Sequence, residues 1–481
     1  MTDPLSIFAA AREAGAAPAL RLPERTLTFA ELAALTRERL IALDRELRPG
    51  SAYPVVGSST LETIVTLYGL LERQVPALML HPRLTAAEQA ALVAAAGRAG
   101  PVPHAGAAAI LYTSGTTGTP RGAVLTRSAF VASAEASAAN LGWEVDDCWL
   151  ICMPLAHVGG LSILTRCLAA RRCVALAPRF DAAAFPGWID ALQVTLVSLV
   201  PTMLERVLDA HPGWTGSPRL RAILLGGAVA APRLLRRAAE RGLPVLVSYG
   251  LTETCAQVTA TRYATRFAPF DLGAGEPLPG TRVRIVDGRI EVGGPTLMAG
   301  YLGEPPLVPG AWFDTGDLGE IDAAGRLHVH ARRTDLIVTG GENVYPAEVE
   351  RALEGCPGIV AAGVFGLPDP LWGQTVAAAL VAEREPPSDA ALVEYMGTQL
   401  APHKRPRGIC YVARLPQTAA GKLDRGALAA CAAALRPLPG VAAARSGTGQ
   451  TSASDSIAPA SSAGTATSAS APAPSSSARE P

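Results

Sequence analysis

Polar residues that precede apolar periodic runs mark where the first helices begin. Thr28 stands three residues before Glu31 at the head of LAALTRERLIAL, and Thr85 stands three before Glu88 at the head of QAALVAAA. Each pair has capping-box spacing, so helices are expected from both points. The middle of the chain alternates between short β-type runs and helical runs. VTLVSLV (194–200), RAILL (221–225) and VLVSY (245–249) read as strands, and 203–209 and 232–241 as the helices between them. Short connections between such elements imply βαβ units and a mainly parallel sheet. Ligands bind such sheets at the carboxyl ends of the strands, where Gly226-Gly227-Ala228 and Tyr249-Gly250 fall. Residues 280–330 read as short β-structure. Beyond Arg332 the pattern changes, with strand-like 359–365, 375–381 and 408–412 and helix-like 389–400 and 426–435. The expected fold class is α/β: a large N-terminal domain (1–334) of parallel-sheet βαβ layers with a small β subdomain, then a C-terminal α+β domain (335–436). A tail follows at 437–481. From Ser446 it is mostly Ser, Ala, Thr, Pro and Gly, with Ile457 its one large aliphatic, and it is expected to be disordered because burial cannot offset its ordering entropy.

Composition narrows the class. With 481 residues there is room for more than one core. Basic and acidic residues number 42 each, so the basic excess of a nucleic-acid binder is missing. The mean hydropathy of +0.24 owes much to alanine. The most apolar uncharged stretch, 149–165, holds His157, Gly159 and Gly160, and its length sits at the lower limit for a membrane span. The N-terminus has no basic-then-apolar order, which points to a cytoplasmic protein. Eight cysteines without a C-x-x-C pair suggest neither a disulfide framework nor a zinc site. Of the 42 basic residues only Lys404 and Lys422 are lysines, so a position that keeps lysine stands out.

The strongest local signal is LYTSGTTGTPRG (111–122). Gly115, Gly118 and Gly122 free the backbone to turn its N–H groups inward. Thr113, Ser114, Thr116 and Thr117 add hydroxyl donors, and Arg121 adds a fixed positive charge. Converging donors with little bulk suit a polyphosphate, although composition alone leaves an ordinary Ser/Thr/Gly hairpin open. No G-x-x-x-x-G-K-[ST] spacing fits, so it is not a Walker A loop.

Residues 112–122 resemble the STSGTTGxPKG signature of the adenylate-forming superfamily of acyl- and aryl-CoA ligases, with Arg121 in place of the usual lysine. Arginine can also hold phosphate, bidentately. Further matches follow in the family's order over residues 20–435. YGLTE (249–253) resembles the YGxTE motif; the resemblance implies that Tyr249 stacks on adenine, Thr252 contacts the α-phosphate and Glu253 holds Mg²⁺. WFDTGD (312–317) resembles the TGD motif, implying Asp317 on the ribose. RRTD (332–335) implies that Arg332 also meets the ribose and that Asp335 is the hinge of a mobile C-terminal domain. PQTAAGK (416–422) resembles PxTxxGK and implies that Lys422 bridges carboxylate and α-phosphate. GGENVYP (340–346) resembles the loop that lines the pantetheine tunnel, implying Gly340 and Gly341 beside CoA. The glycine turns Gly226-Gly227-Ala228 and Gly250 complete the implied nucleotide site.

The substrate acid is read from MPLAHVGGLSILTR (153–166), which looks most like the corresponding segment of o-succinylbenzoate–CoA ligases. HPRLT (81–85) is similar to their N-R-L-T stretch, with His-Pro as a departure. His157 would gate the acid site, and Ala156 stands where phenylalanine is common. Arg166, Arg206 and Arg221 are all candidates for the counter-charge to a distal carboxylate. The implied reaction joins a small carboxylic acid to CoA with ATP, through an acyl-adenylate, with menaquinone biosynthesis as the setting. The alternatives are another aryl- or acyl-CoA ligase of the superfamily, or a non-catalytic nucleotide-binding protein on this fold. A serine hydrolase would need a G-x-S-x-G elbow, which this sequence lacks. A dinucleotide oxidoreductase would need a G-x-G-x-x-G that opens a helix.

Overall fold

The computed structural model describes residues 3–99, 106–113, 120–177, 179–267, 273–332, 335–339, 342–369, 372–383, 385–418 and 423–438. The expected tail from 446 lies outside them. All fall within one unit, Met1–Ala442.

Both capping boxes form. The Thr28 hydroxyl accepts from Glu31 N–H and starts the helix Phe29–Glu46, and Thr85 with Glu88 does the same for Ala86–Arg98. The alternating middle folds as expected. Strands Leu196–Leu199, Ala222–Leu225 and Val245–Tyr249 lie parallel and adjacent, joined through helices Pro201–Ala210 and Pro232–Glu240. Among the described residues they belong to a nine-stranded sheet that continues through Cys148–Ile151, Cys173–Leu176, Pro18–Arg21 and Thr26–Thr28. A five-stranded sheet holds Tyr53–Val56, Ala77–Leu80, Ala107–Thr113, Arg121–Thr126 and Gly300–Tyr301. The 280–330 region forms a four-stranded antiparallel sheet of Arg282–Val286, Arg289–Gly293, Phe313–Ile321 and Leu327–Arg332.

The apolar stretch 149–165 is split between a strand, Cys148–Ile151, and the helix Val158–Ala170, both largely buried. No helix among the described residues is long and apolar enough to cross a membrane. Trp149, Ile151, Leu161, Ile163 and Leu164 join the main core, at most 4% exposed.

Beyond residue 335 the chain builds its own apolar cluster around Val349, Val364, Leu380, Leu392 and Ile409. The strand expected over 359–365 runs on to Asp369, because it pairs antiparallel along its length with Gly373–Ala382. The helix expected over 426–435 is one α-turn, Arg425–Leu428, followed by a 3-10 helix, Ala429–Ala434. That second piece buries none of its residues, so little packing holds it to the longer pitch.

Candidate active site

The parallel strands deliver two glycine turns side by side, since Leu225 pairs with Val247 at the carboxyl ends. At Gly226 a Cβ would fall 2.7 Å from Ser248 Oγ, and Gly227 has φ +78°. At Gly250 a Cβ would lie 1.5 Å from the Ala256 carbonyl oxygen, so only glycine fits. Tyr249 ends its strand and donates its hydroxyl to Asp317 Oδ2 at 2.7 Å. Asp317, 5% exposed, pairs in register with Arg332 on the neighbouring strand, and Thr315 Oγ1 accepts from its N–H. Tyr249, Asp317 and the Arg332 backbone, separated widely in sequence, therefore converge beside the two glycine turns. Ala228 follows them at the same strand end.

The flanks of the glycine-rich loop also arrive here. Thr113 and Arg121 face each other across an antiparallel pair, and Thr113 Oγ1 donates to Arg121 O at 3.4 Å. Ser114, Gly115, Thr116, Thr117 and Gly118 lie outside the described residues. The Arg121 guanidinium stacks over Tyr301 at 3.5 Å from the ring centroid and forms a bidentate pair with Glu304 at 3.0 and 2.6 Å. Tyr301 donates to Glu253 Oε1 at 2.8 Å. Burial and the Glu253 carboxylate hold the Tyr301 phenol well above its ordinary range. Glu253 and Thr252 occupy a 3-10 turn, Thr252–Thr254, whose carbonyl at Glu253 accepts from Met298 N–H. Glu253 is 9% exposed, and its carboxylate is a hard oxygen donor suited to Mg²⁺. Tyr301 and Glu304 carry no motif in the sequence and were missed. Only the fold brings them to Arg121.

On the acid side, His157 caps the N-terminus of Val158–Ala170 without a side-chain cap bond. Its ring sits 4.9 Å from that of His81, so the two segments of subgroup character meet. Burial, with Arg83 as a second cause, lowers the His81 pKa. Ala156 packs directly against Gly57: a Cβ at Gly57 would fall 2.4 Å from Ala156 N and 2.8 Å from its Cβ, so position 57 is held to glycine. The three candidate arginines part company. Arg221 is claimed by Asp147 (2.7 and 2.5 Å) and by the Leu141 and Gly142 carbonyls that end a helix, a structural post. Arg206 lies over Phe180, 5.4 Å from the centroid. Arg166 is 2% exposed, and its Nη2 donates to Ser133 Oγ at 3.2 Å.

Toward the C-terminus, Asp335 accepts from Arg425 Nε at 3.0 Å. Arg425 also binds Glu350 (2.5 and 3.0 Å) and the Val364 carbonyl. An isolated antiparallel bridge joins Gln417 and Leu423. Lys422, Gly340 and Gly341, and the side chain of Arg332, lie outside the described residues. Lys404 pairs with Glu348 at 2.6 and 2.8 Å, a structural tie.

Comparison with known proteins agrees with this geometry. A family described as "AMP-binding enzyme" matches residues 96–302, and "AMP-binding enzyme C-terminal domain" matches 348–422. A 2-succinylbenzoate–CoA ligase of Enterococcus faecalis is 38% identical over 333 residues, 66% of this chain and 68% of that protein. The o-succinylbenzoate CoA synthetase of Bacillus subtilis, solved with its acyl-adenylate intermediate, is 31% identical and superposes with a TM-score of 0.77, over 89% of this chain and 98% of that one. The same enzyme solved with ATP and magnesium ion is 32% identical, with a TM-score of 0.77, over 89% and 99%. The two family matches, the identity to these relatives and the shared fold leave one assignment: the chain belongs to the AMP-binding enzymes, the adenylate-forming acid–CoA ligases.

Proposed function

We propose that this ligase acts on 2-succinylbenzoate, converting it with ATP and CoA to the CoA thioester, AMP and pyrophosphate. The observation that carries the reading is the convergence of Tyr249–Asp317 and Arg121–Tyr301–Glu253 at the carboxyl ends of the parallel strands. The choice of acid is supported by the likeness of 153–166 to 2-succinylbenzoate–CoA ligases, and the contact of His81 with His157 sets the HPRLT stretch beside that segment.

In this reading Tyr249 and the Gly226-Gly227-Ala228 turn hold the adenine, and Asp317 with Arg332 holds the ribose. Thr252, Thr113, Arg121 and the 114–118 segment bind the phosphates. Glu253 would hold Mg²⁺, which supplies charge neutralisation at the phosphates when bound. The acid's carboxylate attacks the α-phosphate, pyrophosphate leaves, and Lys422 stabilises the developing charge. The C-terminal domain (335–436) then turns about Asp335 on the N-terminal domain (1–334), and the CoA thiolate displaces AMP past Gly340 and Gly341. A cytoplasmic enzyme of menaquinone biosynthesis is the corresponding setting.

The test is pyrophosphate release with ATP and Mg²⁺ against 2-succinylbenzoate, benzoate, octanoate and acetate. Selective turnover of 2-succinylbenzoate is expected. Turnover of another acid instead would keep the class and remove the substrate, and ATP binding without turnover of any acid would favour a non-catalytic protein.

A further inference from the structure

Arg166 is the one arginine that is fully buried among the described residues. No carboxylate among them lies within ion-pair range of it. Its Nη2 donates to Ser133 Oγ at 3.2 Å, its charge faces the Trp149 ring at 5.7 Å, and its Nε has no hydrogen-bond partner among the described residues. Burial without an acid depresses its pKa to about 10. A guanidinium kept in such a place is costly, and an apolar side chain of similar volume would be tolerated at least as well. Something other than core stability accounts for it.

Ser133 shows what that is. Its hydroxyl donates to the Cys255 carbonyl at 2.7 Å. Cys255 and Ala256 have φ +53° and +84°, two successive non-glycine residues in left-handed backbone immediately after Thr252–Thr254. Such a conformation persists only where its surroundings over-determine it. A serine hydroxyl can rotate, but beside a guanidinium, which only donates, its lone pair faces the arginine and its proton is directed at Cys255. Arginine thus sets the rotor, and the rotor pins the strained turn.

We propose that Arg166, acting through Ser133, is a positioning residue that holds the Thr252–Glu253 turn in its nucleotide-binding geometry. This rests on the reading of that turn as the MgATP site. The helix Val158–Ala170 would then serve both substrates, with His157 at its head for the acid and Arg166 farther along it for the nucleotide.

The test is a double-mutant cycle of Arg166→Met and Ser133→Ala in the full chain, with Tm and separate KM values for MgATP, acid and CoA. Each single variant should raise KM for MgATP by roughly tenfold and leave the acid and CoA values within about twofold. The double variant should be no worse than either single one, because both remove the same link. Arg166→Met should keep its Tm or gain. Ser133→Thr, which retains the hydroxyl, should restore the MgATP KM and keeps the test usable if Arg166→Met fails to fold. Multiplying effects, a rise in the acid's KM instead, or a lower Tm with unchanged KM values would each overturn the proposal. Glu253→Gln serves as the control. If it leaves the MgATP KM unchanged, the turn is not the nucleotide site, and that failure is separate from the failure of the Arg166–Ser133 link.

Discussion

At the level of single residues, contact geometry decides what each motif position tolerates. Gly250 faces the Ala256 carbonyl so closely that any Cβ must displace backbone. Gly250→Ala should therefore lose acid-dependent pyrophosphate release and cost on the order of 2–4 kcal/mol in stability, read by denaturant unfolding. Tyr249→Phe removes the hydroxyl bound to Asp317. It should cost about 1–2 kcal/mol and raise KM for ATP severalfold, while kcat changes less, because the aromatic face remains. Residue types that chemistry restricts were legible in the sequence: Gly226, Gly227, Gly250, Tyr249, Asp317 and Glu253 all reach one region. Tyr301, Glu304 and Ser133 were not, because an isolated tyrosine, glutamate or serine has no signature until the fold supplies its partner. Among the candidate arginines, composition could not separate Arg221, claimed by Asp147, from Arg166, buried beside Ser133.

Elements were legible wherever local chemistry settles the outcome. Both capping boxes and the strand Val245–Tyr249 stand where the sequence places them, because caps and period-two runs are short-range signals. The strand ending at Asp369 and the short Arg425–Leu428 turn depend instead on what they pack against. Thr28→Ala should lower stability by about 1 kcal/mol in thermal or denaturant unfolding, with kinetic constants unchanged, because the strand ending at Thr28 is an edge of the nine-stranded sheet, six strands removed from Val245–Tyr249. The Arg425 fork joins three elements, Asp335, Glu350 and the Val364 carbonyl. Arg425→Lys keeps the charge but not the fork. It should slow adenylation more than the use of supplied acyl-adenylate if that fork steadies the segment bearing Lys422.

Over the whole molecule, the parallel sheet and the core beyond residue 335 follow from the alternation along the chain and its change of pattern. How the later part meets the earlier one was not legible, because that contact joins residues far apart. Arg233 Nη1 donates to the Val360 carbonyl, and Glu354 lies in the fields of Glu350, Glu205 and Arg233. Burial is the largest cause that raises Glu354 to about 7, against an ordinary value of 4.5. A carboxyl protonated longer in the folded state contributes stability that is complete below 4.5 and is lost as pH rises through about 7. Glu354→Gln should flatten the fall of Tm across that window; an unchanged profile would mean that another group governs it.

The enzyme makes and breaks its bonds in one order, acyl-adenylate first and thioester second, in the reading proposed above. Mixing enzyme with 2-succinylbenzoate, ATP and Mg²⁺ in a single turnover, without CoA, should give the acyl-adenylate and one pyrophosphate by mass spectrometry. Adding CoA should convert that adenylate to thioester and AMP, and Lys422→Ala should lose the first step while still binding ATP. Cleavage of ATP to ADP and phosphate, or thioester formed with no adenylate on the way, would contradict it.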